Sequence, residues 1–149
     1  MKYILLFFSV LVFSTAFISC GSGSGTMHGQ AINLDSPDSY YFEMATPENS
    51  KILDGIINFE KITDNEVSGT YSISNISDKN FTGLSGLNGN FSGQRSKKDN
   101  LIKLNMNPKV ADNNIFVDLT IMKYYLLGSW VRSGLTGVIS KGIFTSYKQ

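Results

Sequence analysis

The segment Val67-Ser68-Gly69-Thr70-Tyr71-Ser72-Ile73-Ser74 alternates without a break. Val67, Gly69, Tyr71 and Ile73 share one side, and the four hydroxyl residues share the other. Successive side chains of a strand point to opposite faces, so a period of two marks a strand with one face buried and one solvated. The pattern repeats outward from this segment. Leu87, Gly89, Phe91 and Gly93 oppose Asn88, Asn90, Ser92 and Gln94. Ile102, Leu104 and Met106 oppose Lys103 and Asn105, and Ile115, Val117, Leu119 and Ile121 oppose Asp118 and Thr120. Turn-forming clusters separate these runs: Asp64-Asn65, Ser77-Asp78-Lys79-Asn80, Lys97-Lys98-Asp99-Asn100, the stretch from Asn107-Pro108 through Asn114, and Ser133-Gly134. Short strands at even spacing predict an all-β fold: a single small antiparallel up-and-down β-barrel of about eight strands, or a barrel-like sandwich. The one helical expectation is local. Thr46 as an N-cap with Pro47 behind it would open a short helix ending before Gly55.

Register is arguable for two hairpins. A two-residue loop, Asp64-Asn65, would put Glu60 and Asn58 on the face of Val67 and Tyr71. A three-residue loop, Asp64-Asn65-Glu66, pairs Lys61 with Gly69, Phe59 with Tyr71 and Ile57 with Ile73. Burial favours the second. In the last hairpin Ser133-Gly134 reads as the loop, joining residues 126–132 to residues 135–147. Trp130 then lies opposite Gly137, where its ring covers bare backbone.

The N-terminus carries a different signal. Lys2 precedes an apolar stretch over residues 3–18, broken by Ser9, Ser14 and Thr15. A membrane-spanning helix needs about 20 apolar residues, whereas a secretory h-region behind a basic start takes about 7–15. The stretch ends in Phe17-Ile18-Ser19-Cys20, followed by Gly-Ser-Gly-Ser-Gly. This resembles a bacterial lipoprotein signal peptide with a relaxed lipobox, Phe17 standing where Leu is usual. The resemblance implies a signal peptide over residues 1–19, a lipidated Cys20 with a Gly/Ser tether over residues 20–25, and a β-domain over residues 26–149. Acyl chains on Cys20, each buried methylene contributing about 0.8 kcal/mol, would hold the domain on the bilayer. Gly21, where Asp is associated with inner-membrane retention, points to the outer membrane. Cys20 is the sole cysteine, so no intrachain disulfide forms.

Chemistry is sparse. The chain has 13 basic and 12 acidic residues, and loss of Lys2 with the signal leaves 12 of each. That balance argues against a nucleic-acid surface. His28 is the only histidine, so nucleophilic triads and zinc sites lack their usual residues. Neither catalytic nor metal-ligating residues are assigned, and no cofactor is implied. Asp54, Glu60 and Asp118 are the strand acids. A glycosidase-type pair would need two of them across a cleft, and a solvated face is the simpler expectation. Asp112-Asn113-Asn114 lacks calcium-loop spacing and reads as a turn.

Aromatic residues remain. Tyr71, Phe91, Tyr124, Tyr125, Trp130, Phe144 and Tyr147 fall in the strand region. Core packing is their ordinary role, but an eight-stranded barrel can also hold one small ligand. Gly128-Ser129-Trp130 faintly resembles the Gly-x-Trp of lipocalins, and Gly69-Thr70-Tyr71 resembles the Gly-Thr-Trp/Tyr strands of avidin-like barrels. Trp130, Tyr71, Tyr124 and Tyr125 are therefore the candidate ligand-binding residues. The expectation is an exported, non-catalytic binding or envelope-structural lipoprotein, partnered by the bilayer through Cys20 and by an envelope protein or small apolar ligand. The alternatives are a lipocalin-like carrier of a small apolar ligand and, last, a carboxylate-dependent hydrolase. A filled interior would favour the first, a lined cavity the second, and paired inward acids the third.

Overall fold

The computed structural model describes residues 30–84 and 86–148. Eight strands follow in chain order: β1 (Asp38–Ala45), β2 (Lys51–Ile62), β3 (Glu66–Ile76), β4 (Asn88–Ser96), β5 (Leu101–Asn105), β6 (Asn113–Ile121), β7 (Tyr125–Gly134) and β8 (Gly137–Tyr147). Each pairs antiparallel with the next, and β8 returns to β1 from Tyr41↔Tyr147 to Ala45↔Ile143, closing the barrel. This is the up-and-down barrel that the alternation predicts. Among the described residues, closure leaves no free edge strand to template aggregation.

The inward residues make one core. Tyr40, Phe42, Met44, Ile57, Phe59, Val67, Tyr71, Phe91, Ile102, Leu104, Ile115, Val117, Leu119, Leu126, Trp130 and Phe144 are all buried. Tyr40 meets Phe59 edge-on, Phe59 meets Phe91 edge-on, and Phe42 stacks on Phe144 with ring centres 5.3 Å apart. Between them run polar outer positions such as Ser68, Thr70, Asn90, Lys103 and Asp118. Membrane-spanning barrels invert this arrangement, with apolar residues outward. β1 was not among the strands read above, although Tyr40, Phe42 and Met44 alternate with Tyr41 and Glu43 as clearly as any other run. Leu87 departs from its expected face: it precedes β4 and is exposed.

Three local expectations are corrected. Thr46 opens no helix. Its N–H bonds to the Ser50 carbonyl at 2.9 Å, and Asn49 takes a left-handed φ of 66°. The segment is the tight turn between β1 and β2, because pairing two apolar strands outweighs a five-residue helix signal. The β2–β3 hairpin overturns the favoured three-residue loop: Lys61 does not pair with Gly69, Phe59 with Tyr71 or Ile57 with Ile73. Ile62 pairs with Val67 and Lys61 with Ser68, as the Asp64-Asn65 loop requires. A bulge at Glu60 then shifts the ladder, so Phe59 pairs with Gly69 and Ile57 with Tyr71. The extra residue satisfies the turn and still turns the apolar face inward. In the last hairpin Ser133 and Gly134 belong to β7, the loop is Leu135-Thr136, and Trp130 faces Gly142, not Gly137. Gly137, with φ of 107°, opens β8 directly after the turn, and its Cβ position touches nothing within 4 Å.

Candidate functional site

Trp130 and Tyr71 are inside the barrel; Tyr124 and Tyr125 are not. Trp130 on β7 lies across Gly142 on β8, where an added Cβ would stand 2.7 Å from its Nε1. Through that gap its indole N–H donates to the Ala45 carbonyl on β1 at 2.9 Å. One side chain thus crosses three strands at the barrel seam. Its ring also meets Phe81 edge-on at 5.7 Å. Phe81 and Leu84 belong to the β3–β4 loop, which packs on the core at this end.

Tyr71 occupies the space left by Gly89 on β4, where a Cβ would overlap its ring. Its hydroxyl points toward Asn107 Oδ1, at the hydrogen-bond limit of 3.5 Å. Burial raises the Tyr71 pKa. Asn107 is the residue that the sequence reading missed. It is buried, and its amide donates to the Gly83 carbonyl at 3.0 Å and the Asn113 carbonyl at 2.8 Å. It ties the covering loop to the β5–β6 connection. Nothing in Asn107-Pro108 distinguishes this from an ordinary turn. Beside these residues, where β4 and the chain after β5 no longer pair, lies an opening of about 160 Å³ lined by Tyr71, Gly89, Met106, Asn107 and Lys109. Ligand pockets usually run from about 300 Å³ upward.

The opposite end is covered by the chain leading into β1. Leu34 is buried and Ile32 packs on the core. Arg95 Nη1 donates to the Leu34 carbonyl at 2.6 Å, and Nη2 pairs with Asp35 at 3.0 Å. Arg95, then Lys97, holds the Asp35 carboxyl below its usual range. Tyr40 donates to the Asn33 carbonyl at 3.0 Å; burial, reinforced by Asp38, pushes its hydroxyl up to about 12. Tyr124 and Tyr125 sit at this same end, exposed in and after the β6–β7 turn.

The three strand acids are apart. Asp118 on the outer wall pairs with Lys103 at 3.1 Å. Glu60 accepts the Thr70 hydroxyl at 2.8 Å. Asp54, largely buried, accepts the Tyr41 hydroxyl at 2.8 Å, and Lys51 lies 3.7 Å from its other oxygen and 3.5 Å from Glu43. Burial first, then Asp54, pushes Tyr41 up to about 12. Asn113 and Asn114 begin β6 instead of forming a turn, and the Asn113 side chain accepts from Arg132 at 2.9 Å. Among the described residues no group of three metal-ligating side chains gathers. Cys20 and His28 lie outside the described residues.

The wider concavities are on the outer wall. One of about 670 Å³ runs over β3 and β4 beside Lys61, Glu66, Ser68, Ser92 and Gln94. Another of about 520 Å³ lies around Phe116, Asn105, Lys103 and Gln94. No family model, curated protein or solved structure matches this chain.

Proposed function

We propose that this protein is an exported, lipid-anchored, non-catalytic binding module of the bacterial envelope that meets its partner with the outside of the barrel. The observation that carries this reading is the aromatic filling of the interior between two covered ends. Trp130, Tyr40, Tyr71, Phe42, Phe59, Phe91 and Phe144 occupy the space that a carrier would leave for its ligand. An eight-stranded barrel is just wide enough for side chains to fill it. The lipobox Phe17-Ile18-Ser19-Cys20 supports the anchor, and Gly21 supports the outer membrane as its destination. Apolar-in, polar-out strands support a barrel that stands in water beside the bilayer instead of crossing it.

Native mass spectrometry of the protein purified from its own envelope tests the reading. The expected species begins at Cys20, carries acyl chains and holds no small molecule. An intact, unmodified chain would overturn the anchor. A stoichiometric apolar ligand would move the assignment to a lipocalin-like carrier.

A further inference from the structure

We propose that the end of the barrel bearing the β6–β7 turn rests on the bilayer, with Met122, Tyr124 and Tyr125 settled among the lipid headgroups. This rests on the lipid anchor at Cys20. The Ile32 N–H donates to the Lys123 carbonyl at 2.9 Å, so the chain from Cys20 enters the domain beside this turn. Eleven-residue β8, at about 3.3 Å per residue and tilted by about 40°, makes a barrel about 28 Å tall. A Gly/Ser-rich linker of about ten residues spans only about 17 Å on average. The end where the tether enters is therefore the end held near the lipid.

The chemistry of that end suits the interface. Met122 and Tyr124 are each 40% exposed, Tyr125 is 39% and Leu101 is 40%. Leu101 belongs to the same surface, because the Ile121 N–H bonds to the Asn100 carbonyl at 2.8 Å and draws the β4–β5 turn alongside. Lys123 Nζ sits 4.9 Å from the centre of the Tyr124 ring, and Lys98 is exposed in the neighbouring turn. Tyrosines with an apolar ring and a wet hydroxyl favour headgroup depth, and lysines beside them gain from lipid phosphates. The far end exposes a more apolar patch, Leu135, Val138 and Ile139. It is the rival contact, and the tether points it away from the membrane.

Two reporters decide between the ends. Tyr124→Trp and Leu135→Trp each add an indole at an exposed position, while buried Trp130 gives the same background in both. The acylated full-length product is reconstituted into phosphatidylcholine–phosphatidylglycerol vesicles with brominated acyl chains. The added emission of Tyr124→Trp should fall about twofold, and that of Leu135→Trp should stay unchanged. Equal quenching of both, or quenching of Leu135→Trp alone, overturns the orientation, as does no quenching of either. Mass spectrometry of the same samples reads acylation separately. If Cys20 carries no lipid, the anchor fails and the same vesicles are added in excess to the free protein. Selective quenching of Tyr124→Trp then still supports the docking surface, and its absence ends it.

Discussion

The two ends of the barrel are closed by different chemistry. At the Trp130 end the cover is a loop carrying Phe81 and Leu84, and its latch is a buried neutral amide, Asn107. At the other end the cover is the chain leading into β1, and its latches are ionic: Arg95 on Asp35, and Lys148 on Asp38 at 2.7 Å. A buried amide that satisfies carbonyls is insensitive to pH and salt. Ion pairs near the surface respond to both. The Trp130 end should therefore keep its closure across conditions, and the Arg95 end should loosen in acid or high salt.

The largest expected effect is at the seam. Trp130→Ala removes the side chain that crosses β7, β8 and β1 and supports Phe81. It should cost about 3–5 kcal/mol, the usual range for an emptied large aromatic site, in a urea melt. Hydrogen exchange should rise first around residues 81–84 and 45–50. Equal loosening at residues 32–35 would mean that the ends are not independent. Next is Asn107→Ala, which leaves the Gly83 and Asn113 carbonyls without their donor. Unmet buried polar groups put the loss at about 2–3 kcal/mol. That loss should be the same at pH 4 and pH 8, because no charge is involved. A pH-dependent difference would show that the amide latch works through a titrating neighbour.

The contrast between the ends also marks what the sequence disclosed. Alternation around Tyr71, Phe91, Leu104 and Val117 was legible because burial on one face imposes a period of two. Closure was one of two readings, because the same alternation also fits a barrel-like sandwich; the pairing of β8 with β1 decides it. The covers were not legible. Phe81 is an isolated aromatic in a loop of Ser, Asp, Lys, Asn and Gly, and Leu34 stands among turn residues, so neither has a period to betray it. Asn107 looks like any turn residue before proline, since burial of an amide depends on what folds over it. The Glu60 bulge arises where turn preference and face burial conflict, and no single-strand pattern contains both. Trp130 was recognised as the partner of a glycine, but the wrong glycine. Once Gly134 joins the strand and Leu135-Thr136 turns the chain, the pairing slides four residues, and the bulge between Arg132 and Ser133 adds the fifth that brings Trp130 to Gly142. Of the four candidate aromatic residues, Trp130 and Tyr71 share the interior, whereas Tyr124 and Tyr125 share the far rim.

The ionic end yields the next test. Arg95→Met keeps most of the apolar stem but removes the donor to the Leu34 carbonyl and the partner of Asp35. The lost hydrogen bond to a charged group puts the cost at about 1.5–3 kcal/mol, below that of Trp130→Ala. The Asp35 carboxyl should move back toward the ordinary carboxylate range, read by NMR titration. Exchange should quicken at residues 32–35 and remain slow at residues 81–84. An unmoved Asp35 titration would assign its shift to Lys97 instead.

The smallest effect is expected at Asp38. Its hydrogen bond with Lys148 joins the start of β1 to the residue that follows β8, and that bond, partly opposed by burial, lowers the Asp38 pKa below 3.8. A carboxyl with a depressed folded pKa favours the folded state above its unfolded pKa, and this contribution fades as pH falls through the folded value. The clasp should therefore be intact at pH 7, begin to weaken near pH 4 and vanish only at stronger acidity. Asp38→Asn should cost under about 1 kcal/mol at pH 7, since both partners are partly solvated. The difference from the parent should shrink in acid melts until the two curves meet, and it should shrink with added salt at pH 7. A difference that persists unchanged at low pH would mean that Asp38 supports β1 through an uncharged contact such as the Tyr40 hydroxyl, 3.4 Å from Oδ2, and not through the charge on Lys148.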